Sequence, residues 1–275
     1  LFFPGGDIGR LAVFGTCNDL SVCGAVPLYL SLGLVIEEGL AIAELARILR
    51  SARAAADEAS VRIITGDTKV VPRGRGGGLF INTAGVGRAR PGLSLGASRL
   101  RAGDRVLVSA AVGAHGLAIL AARESLSIGA SLRSDCALLH PLCAALGELG
   151  PELRWMRDAT RGGVAAVLNE LLRGVDLGLE IEEEAFPVDG PVAAAADLLG
   201  LNPLEIANEG VLVAVVSEPA LPQALGLLQA HPLGRRASAV GQLTTEHPGR
   251  VVLRTAIGGR RILDLPRGLN LPRIC

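Results

Sequence analysis

The sequence predicts a mixed α+β, α/β protein of two domains with a flexible C-terminal tail. Three observations predict it. Apolar runs of strand length alternate with helical stripes along the 275 residues. Before residue 90 the order is strand, helix, strand, strand, which suits a sheet with helices on one face. Over Arg88–Gly103 the composition shifts to Gly, Pro, Ser and Arg, the signature of a boundary. The expected units are 1–90, 91–265 and a tail, 266–275.

In chain order, Asp7 precedes a helix that runs towards Gly24. Val26–Ile36, rich in Leu and Val, reads as a buried strand, with a turn at Glu37-Glu38-Gly39. Ile42, Leu45, Ile48, Leu49 and Ala52 make a helical stripe across 41–59. A short strand, Arg62–Thr65, ends in Gly66-Asp67-Thr68-Lys69. The basic glycine loop Arg73–Gly78 leads to the strand Leu79–Val86. The second half opens with the strand Arg105–Ala110, followed by helices near 115–124 and 135–149. Trp155–Gly163 is expected to introduce a third helix, with the stripe Val164, Val167, Leu168, Leu171. Strands at 178–183, 210–216, 238–243, 250–255 and 260–265 complete the layer.

Composition excludes several function classes. With 49% hydrophobic and 20% charged residues, a sizeable core is available. The 27 basic and 27 acidic residues cancel, which argues against nucleic acid or an anionic membrane as partner. Aromatics at 3% make base-stacking platforms improbable. The uncharged runs Leu20–Ile36 and Val106–Ala122 contain glycines and fall short of a membrane span. No basic-then-apolar signal segment opens the chain. Five cysteines, an odd number without a CxxC pair, fit free thiols in a reducing compartment, the cytoplasm. Cys17, Cys23, Cys136 and Cys143 are expected as small core side chains.

The fifth, Cys275, is the last residue. Pro266, Gly268 and Pro272 disfavour helix before it, and ten residues extended reach roughly 33 Å. A deprotonated thiol on such an arm is a mobile nucleophile; a frayed tail ending in Cys is the plainer alternative.

Four polar clusters could carry chemistry. Asn18-Asp19 sits in an apolar helical stretch, either on an exposed helix face or as a metal–phosphate ligand. In Gly66-Asp67-Thr68-Lys69, Asp can hold Mg²⁺, Thr can hydrogen-bond and Lys can meet phosphate, although a plain turn reads the same. Asp158 or Thr160 could cap a helix; Arg161-Gly162-Gly163 in a first turn would leave N–H groups open to an anion. Glu209, in Asn208-Glu209-Gly210 before an apolar strand, is a candidate base or a strand-start turn. Asp19, Asp67 and Asp158 on separate segments fit Mg²⁺ with phosphate oxygens. His115 could transfer protons or be structural.

In this order the motifs resemble the HypE family of hydrogenase maturation proteins, in the superfamily of aminoimidazole ribonucleotide synthetase (PurM) and selenophosphate synthetase. The matching residues are Phe2–Gly9, Asn18-Asp19-Leu20, Gly66–Val71, Phe80–Gly85, Arg157–Gly163, Asn208-Glu209-Gly210 and the terminal Pro272-Arg273-Ile274-Cys275. Asp158–Gly163 marks the superfamily; the terminal tetrapeptide marks HypE.

The resemblance implies a PurM-like fold. An N-terminal sheet domain pairs with a second subunit in a β-barrel-like homodimer, and ATP lies in the cleft against the C-terminal domain. It also implies a reaction. The carbamoyltransferase HypF loads a carbamoyl group on Cys275. ATP-dependent dehydration gives a thiocyanate, and the cyano group passes to iron in the HypC–HypD complex for the [NiFe] centre. Asn18, Asp19, Asp67, Thr68, Lys69, Asp158, Arg161, Gly162 and Gly163 would bind Mg²⁺–ATP, with Asp19, Asp67 and Asp158 on the metal and Glu209 as base. A non-catalytic carrier of the modified thiol, or a PurM-like synthetase for a free small molecule, is the alternative. Two departures stand out. The glycine-rich segment and Asp-bearing strand that normally precede Phe-Phe-Pro-Gly-Gly are not in this sequence, as in a truncated polypeptide. Ala114 replaces the usual Asp before His115.

Overall fold

The computed structural model describes residues 1–124, 126 and 132–266. The elements are β1 (Phe2–Phe3), β2 (Gly6–Asp7), α1 (Ile8–Val22), β3 (Ala25–Glu37), α2 (Ile42–Glu58), β4 (Arg62–Val71) and β5 (Leu79–Ala89). After the boundary come β6 (Arg105–Val108), α3 (Ala114–Arg123), α4 (His140–Gly147), β7 (Leu153–Asp158), α5 (Gly163–Leu171), β8 (Gly178–Glu182) and α6 (Gly190–Leu199). Then follow β9 (Leu212–Val216), α7 (Leu221–Gln229), β10 (Ser238–Thr244), β11 (Val251–Arg254) and β12 (Arg260–Ile262).

In the N-terminal half a three-stranded sheet has the order β4-β3-β5, with β3 parallel to β4 and antiparallel to β5. The Asp7 carboxylate caps α1 by accepting the N–H groups of Gly9 and Arg10 at 2.8 and 3.1 Å. Side chains alternate along β3, so Leu30, Leu32 and Leu34 pack with Val13, Phe14 and Cys17 of α1 and Ile48 and Ala52 of α2. The helices cross closely at Gly9, where a Cβ would lie 2.4 Å from the Ile48 carbonyl oxygen. Both helices therefore cover one face of the sheet.

The C-terminal half is a seven-stranded sheet, order β12-β11-β8-β10-β6-β9-β7, whose central strands β6 and β9 are buried on both faces, while the edge strand β12 is exposed. Strand periodicity separates the two cores. Val106, Val108, Val213 and Val215 face α5 through Val164, Leu168 and Leu171. Leu107, Leu212, Ala214 and Val216 face α4 and α7 through Leu142, Leu146 and Leu228. An apolar run such as Leu212–Val216 is what burial on both faces requires.

Four expectations are corrected. Gly66–Lys69 does not follow a strand but lies inside β4, because the ladder with β3 continues to Glu37↔Val71. Trp155–Asp158 belongs to a strand, β7, and helix begins only at Gly163, after Gly162 and Gly163 take φ of 76° and 61°. The helix placed at 135–149 starts at His140. Residues before it serve other segments: Ala137 donates N–H to the Glu209 carbonyl, and Ala137 O and Leu139 N bond Asn18. Cys23 is exposed at the end of α1, while Cys17, Cys136 and Cys143 are buried. Burial pushes the thiols of Cys17 and Cys136 up to about 12, so they are inert small side chains. Helices α6 and α7 and strand β7 are additions to the sequence reading.

Candidate active site

The two halves meet where α1, β7, the glycine turn before α5 and the 206–210 loop converge. Each piece is fixed by backbone geometry. Asn208 is fully buried; its Oδ1 accepts from Gly113 N at 2.7 Å, and its Nδ2 donates to the carbonyls of Ala159 and Ile206 at 2.9 and 3.1 Å. The loop is thereby tied to the end of β7 and the start of α3. Gly163 packs on the same loop: a Cβ there would meet the carbonyls of Ile206 and Leu204 at 2.5 and 2.6 Å. With its positive φ, this position tolerates only glycine.

Glu209 follows directly and is 8% exposed. Burial, then the charges of Asp135, Asp158 and Asp19, push its carboxyl up to about 8. Asp158, at the end of β7, is 5% exposed and pushed up to about 6 by burial and by Asp19. Its Oδ1 is buried without a hydrogen-bond partner, and the Arg157 guanidinium lies 3.9 Å away. Asp19 is exposed on α1; partial burial still raises its carboxyl, opposed by Arg157. Three carboxylates predicted from the sequence, Asp19, Asp158 and Glu209, are thus brought within reach of one another's charge.

Asp135 was missed. Its carboxylate accepts the N–H groups of Glu209 and Gly210, both at 3.2 Å. Burial pushes it up to about 6, against these hydrogen bonds. In sequence it stands at the start of the helix expected at 135–149, an ordinary place for an acid, and nothing there marks it for chemistry.

Other predicted residues stand elsewhere. Asn18 is 2% exposed, and both ends of its amide are taken: Nδ2 donates to Ala137 O at 2.9 Å and Oδ1 accepts from Leu139 N at 2.7 Å. It clamps α1 to the segment before α4 and is turned inward, away from any nucleotide, which corrects the expectation. Asp67, Thr68 and Lys69 are exposed on the edge strand β4. Asp67 and Lys69 pair in register with Gly33 and Val35, on the sheet face turned away from the helices. Among the described residues no three His, Cys, Asp or Glu side chains stand close enough to hold a metal ion. The three-aspartate cluster of Asp19, Asp67 and Asp158 is therefore not assembled within the chain, because strand alternation sends Asp67 to the opposite face. His115 is fully buried, with Nδ1 2.7 Å from Ser134 Oγ and its ring edge-on to Phe3. Burial lowers it to about 4, so it is neutral and structural.

Arg161 is exposed beside Gly162. A Cβ on Gly162 would meet Pro266 Cγ at 3.8 Å, so the last described residue of the chain passes along the glycine turn. Cys275 lies outside the described residues.

This arrangement of two sheets with an acidic cluster beside a glycine turn defines a protein of the AIR synthase class. Family models agree: "AIR synthase related protein, N-terminal domain" matches residues 1–89 and "AIR synthase related protein, C-terminal domain" matches 101–254. Carbamoyl dehydratase HypE of Bradyrhizobium diazoefficiens is 52% identical over 276 residues, covering 100% of this chain and 80% of that protein. A solved HypE in complex with ATP superposes with a TM-score of 0.95 at 43% identity, covering 100% of this chain and 83% of that one. The HypE–HypF complex gives a TM-score of 0.93 at 42% identity, covering 97% and 87%. The chain belongs to the carbamoyl dehydratase HypE family.

Proposed function

We propose that the chain dehydrates a carbamoyl group carried on its own Cys275 to a thiocyanate, using ATP, and so supplies a cyanide ligand for [NiFe] hydrogenase maturation. One observation carries this reading. The tail departs at Pro266 beside the Gly162–Gly163 turn, and that turn packs on the loop bearing Glu209. Cys275 is the ninth residue after Pro266, a reach of roughly 30 Å. The relative solved with ATP and the curated relative's name support the cosubstrate and the reaction.

The chemistry balances. The carbamoyl oxygen takes the γ-phosphoryl group of ATP and later leaves as phosphate; the nitrogen loses both protons as the C–N bond becomes triple. A carbamoyl oxygen is a poor leaving group until it is phosphorylated. Glu209, poised near neutrality by burial and neighbouring carboxylates, accepts a proton from nitrogen. The Gly163 N–H closes the turn on Thr160 O at 2.9 Å, which leaves the Gly162 N–H and the side chain of Arg161 to steady phosphate oxygens. The orphaned Oδ1 of Asp158, with Asp19 beside it, suits Mg²⁺, which takes one or two carboxylates and completes its shell with phosphates. Bound there, the cation would neutralise phosphate charge.

Residues 1–90 and 91–265 serve as the two domains. The open face of the β4-β3-β5 sheet exposes Tyr29, Val35, Phe80 and Val86, at 41%, 37%, 60% and 64%. A second copy covering it would give the barrel-like homodimer. HypF, solved with a relative, loads the thiol, and the HypC–HypD complex receives the product.

Intact mass measurement tests the reading. Carbamoyl-loaded protein given Mg²⁺ and ATP should lose one water. An unchanged mass identifies a carrier that only presents the thiol. ATP hydrolysis that survives deletion of Ile274-Cys275 identifies a synthetase for a free small molecule.

A further inference from the structure

The segment Ser134–Leu139 has no regular secondary structure, yet its polar groups are consumed by three distant pieces of chain. Ser134 N donates to Pro4 O at 2.8 Å. Ala137 O and Leu139 N bind the Asn18 amide on α1. Ala137 N reaches the Glu209 carbonyl at 3.3 Å, and Asp135 Oδ1 and Oδ2 accept the N–H groups of Glu209 and Gly210. The backbone of Glu209 is thus held on both sides by Asp135 and Ala137. Contact is tight: a Cβ on Gly210 would stand 1.9 Å from the Asp135 carbonyl oxygen.

We infer that Asp135 is a positioning residue for the dehydration: its carboxylate grips the Glu209–Gly210 backbone, and the segment it heads ties the base to α1, which carries Asp19. The inference rests on the reading of Glu209 as base. A carboxylate can accept from two amides at once through separate oxygens, as this one does; the carboxamide of Asn keeps one oxygen and alanine keeps none. A loosened base loses alignment with the carbamoyl nitrogen, while nucleotide contacts at Asp158 and the glycine turn are untouched.

The test uses the full chain loaded with carbamoyl at Cys275. Asp135→Ala should slow single-turnover dehydration roughly 100-fold, a loss typical of small misplacement, and Asp135→Asn roughly 10-fold. The concentration of ATP giving half-maximal rate should stay within about twofold in both, since the lost interaction acts on the base. Rates equal to the parent protein, or ATP affinity falling in step with rate, would overturn the inference. Should the alanine variant fail to fold, amide hydrogen exchange in the unaltered protein decides. Glu209 and Gly210 should exchange slowly, and faster in Asp135→Asn; rapid exchange in the parent overturns the inference. If the parent itself fails to dehydrate, or Glu209→Gln dehydrates normally, the proposed function falls first and this inference with it.

Discussion

Asn208 Oδ1 accepts the backbone N–H of Gly113 at 2.7 Å, although 95 positions separate the two residues. That bond joins the loop carrying Glu209 to the start of α3. With the two Nδ2 bonds to Ala159 and Ile206, it makes a buried carboxamide the pin of the site. Three of the four hydrogen-bonding positions on Asn208 are used inside the protein, so its role is to hold its neighbour in place.

Asn208→Ala should therefore destabilise the fold. It leaves Gly113 N–H buried without a partner and opens a small void. The expected loss is on the order of 2–4 kcal/mol, read from urea unfolding. A loss below about 0.5 kcal/mol would show the pin to be idle.

Glu209 gives a pH dependence. Its carboxyl is raised from 4.5 to about 8 in the folded protein. A raised acid binds its proton more tightly when folded, so stability falls as pH rises across that window. Glu209→Gln removes the charge. The stability advantage of the variant, without nucleotide or metal and read through its Tm, should be small at pH 4.5 and grow to a plateau above pH 8, on the order of a few kcal/mol. A Tm difference independent of pH would contradict the raised carboxyl.

Gly163→Ala tests the turn. Its φ of 61° is costly for alanine, and the new methyl would strike the Ile206 and Leu204 carbonyls. The expected loss is on the order of 3 kcal/mol by chemical denaturation, with weakened ATP binding as the 206–210 loop moves. Unchanged stability and affinity would mean that the turn yields freely.

Asp158→Asn should weaken Mg²⁺-dependent ATP binding about tenfold or more by calorimetry. The fold should hold, because the buried carboxylate oxygen makes no internal hydrogen bond to lose. Equal affinity in both proteins would remove Asp158 from the nucleotide site.

Phe80→Glu tests the open sheet face. Phe80 sits opposite Val35 in the ladder and is 60% exposed. A charge there should convert a dimer to monomer in sedimentation experiments while the circular dichroism spectrum stays unchanged. Continued dimerisation would move the interface elsewhere.

Much of the chain was legible because short-range chemistry set it. Asp7 caps α1, the stripe beginning at Ile42 makes α2, and Leu212–Val216 reads as a strand buried on both faces. Boundaries failed where a distant partner competed. Trp155–Asp158 has enough apolar character for helix, but β9 offers a ladder. Residues 135–139 could extend α4, but Asn18 and Glu209 take their backbone groups.

From the sequence alone came the family, the two-domain order, the glycine turn and the acidic residues that could serve chemistry. Those depend on residue types at short spacing, and a linear pattern retains them. Only the folded chain decided which acids share an environment. It brought Asp19, Asp158 and Glu209 together, added Asp135 beneath them, turned Asn18 inward and sent Asp67 to the other face of its sheet. Burial and charge act through space, and the neighbours that raise the Glu209 carboxyl lie far from it along the chain.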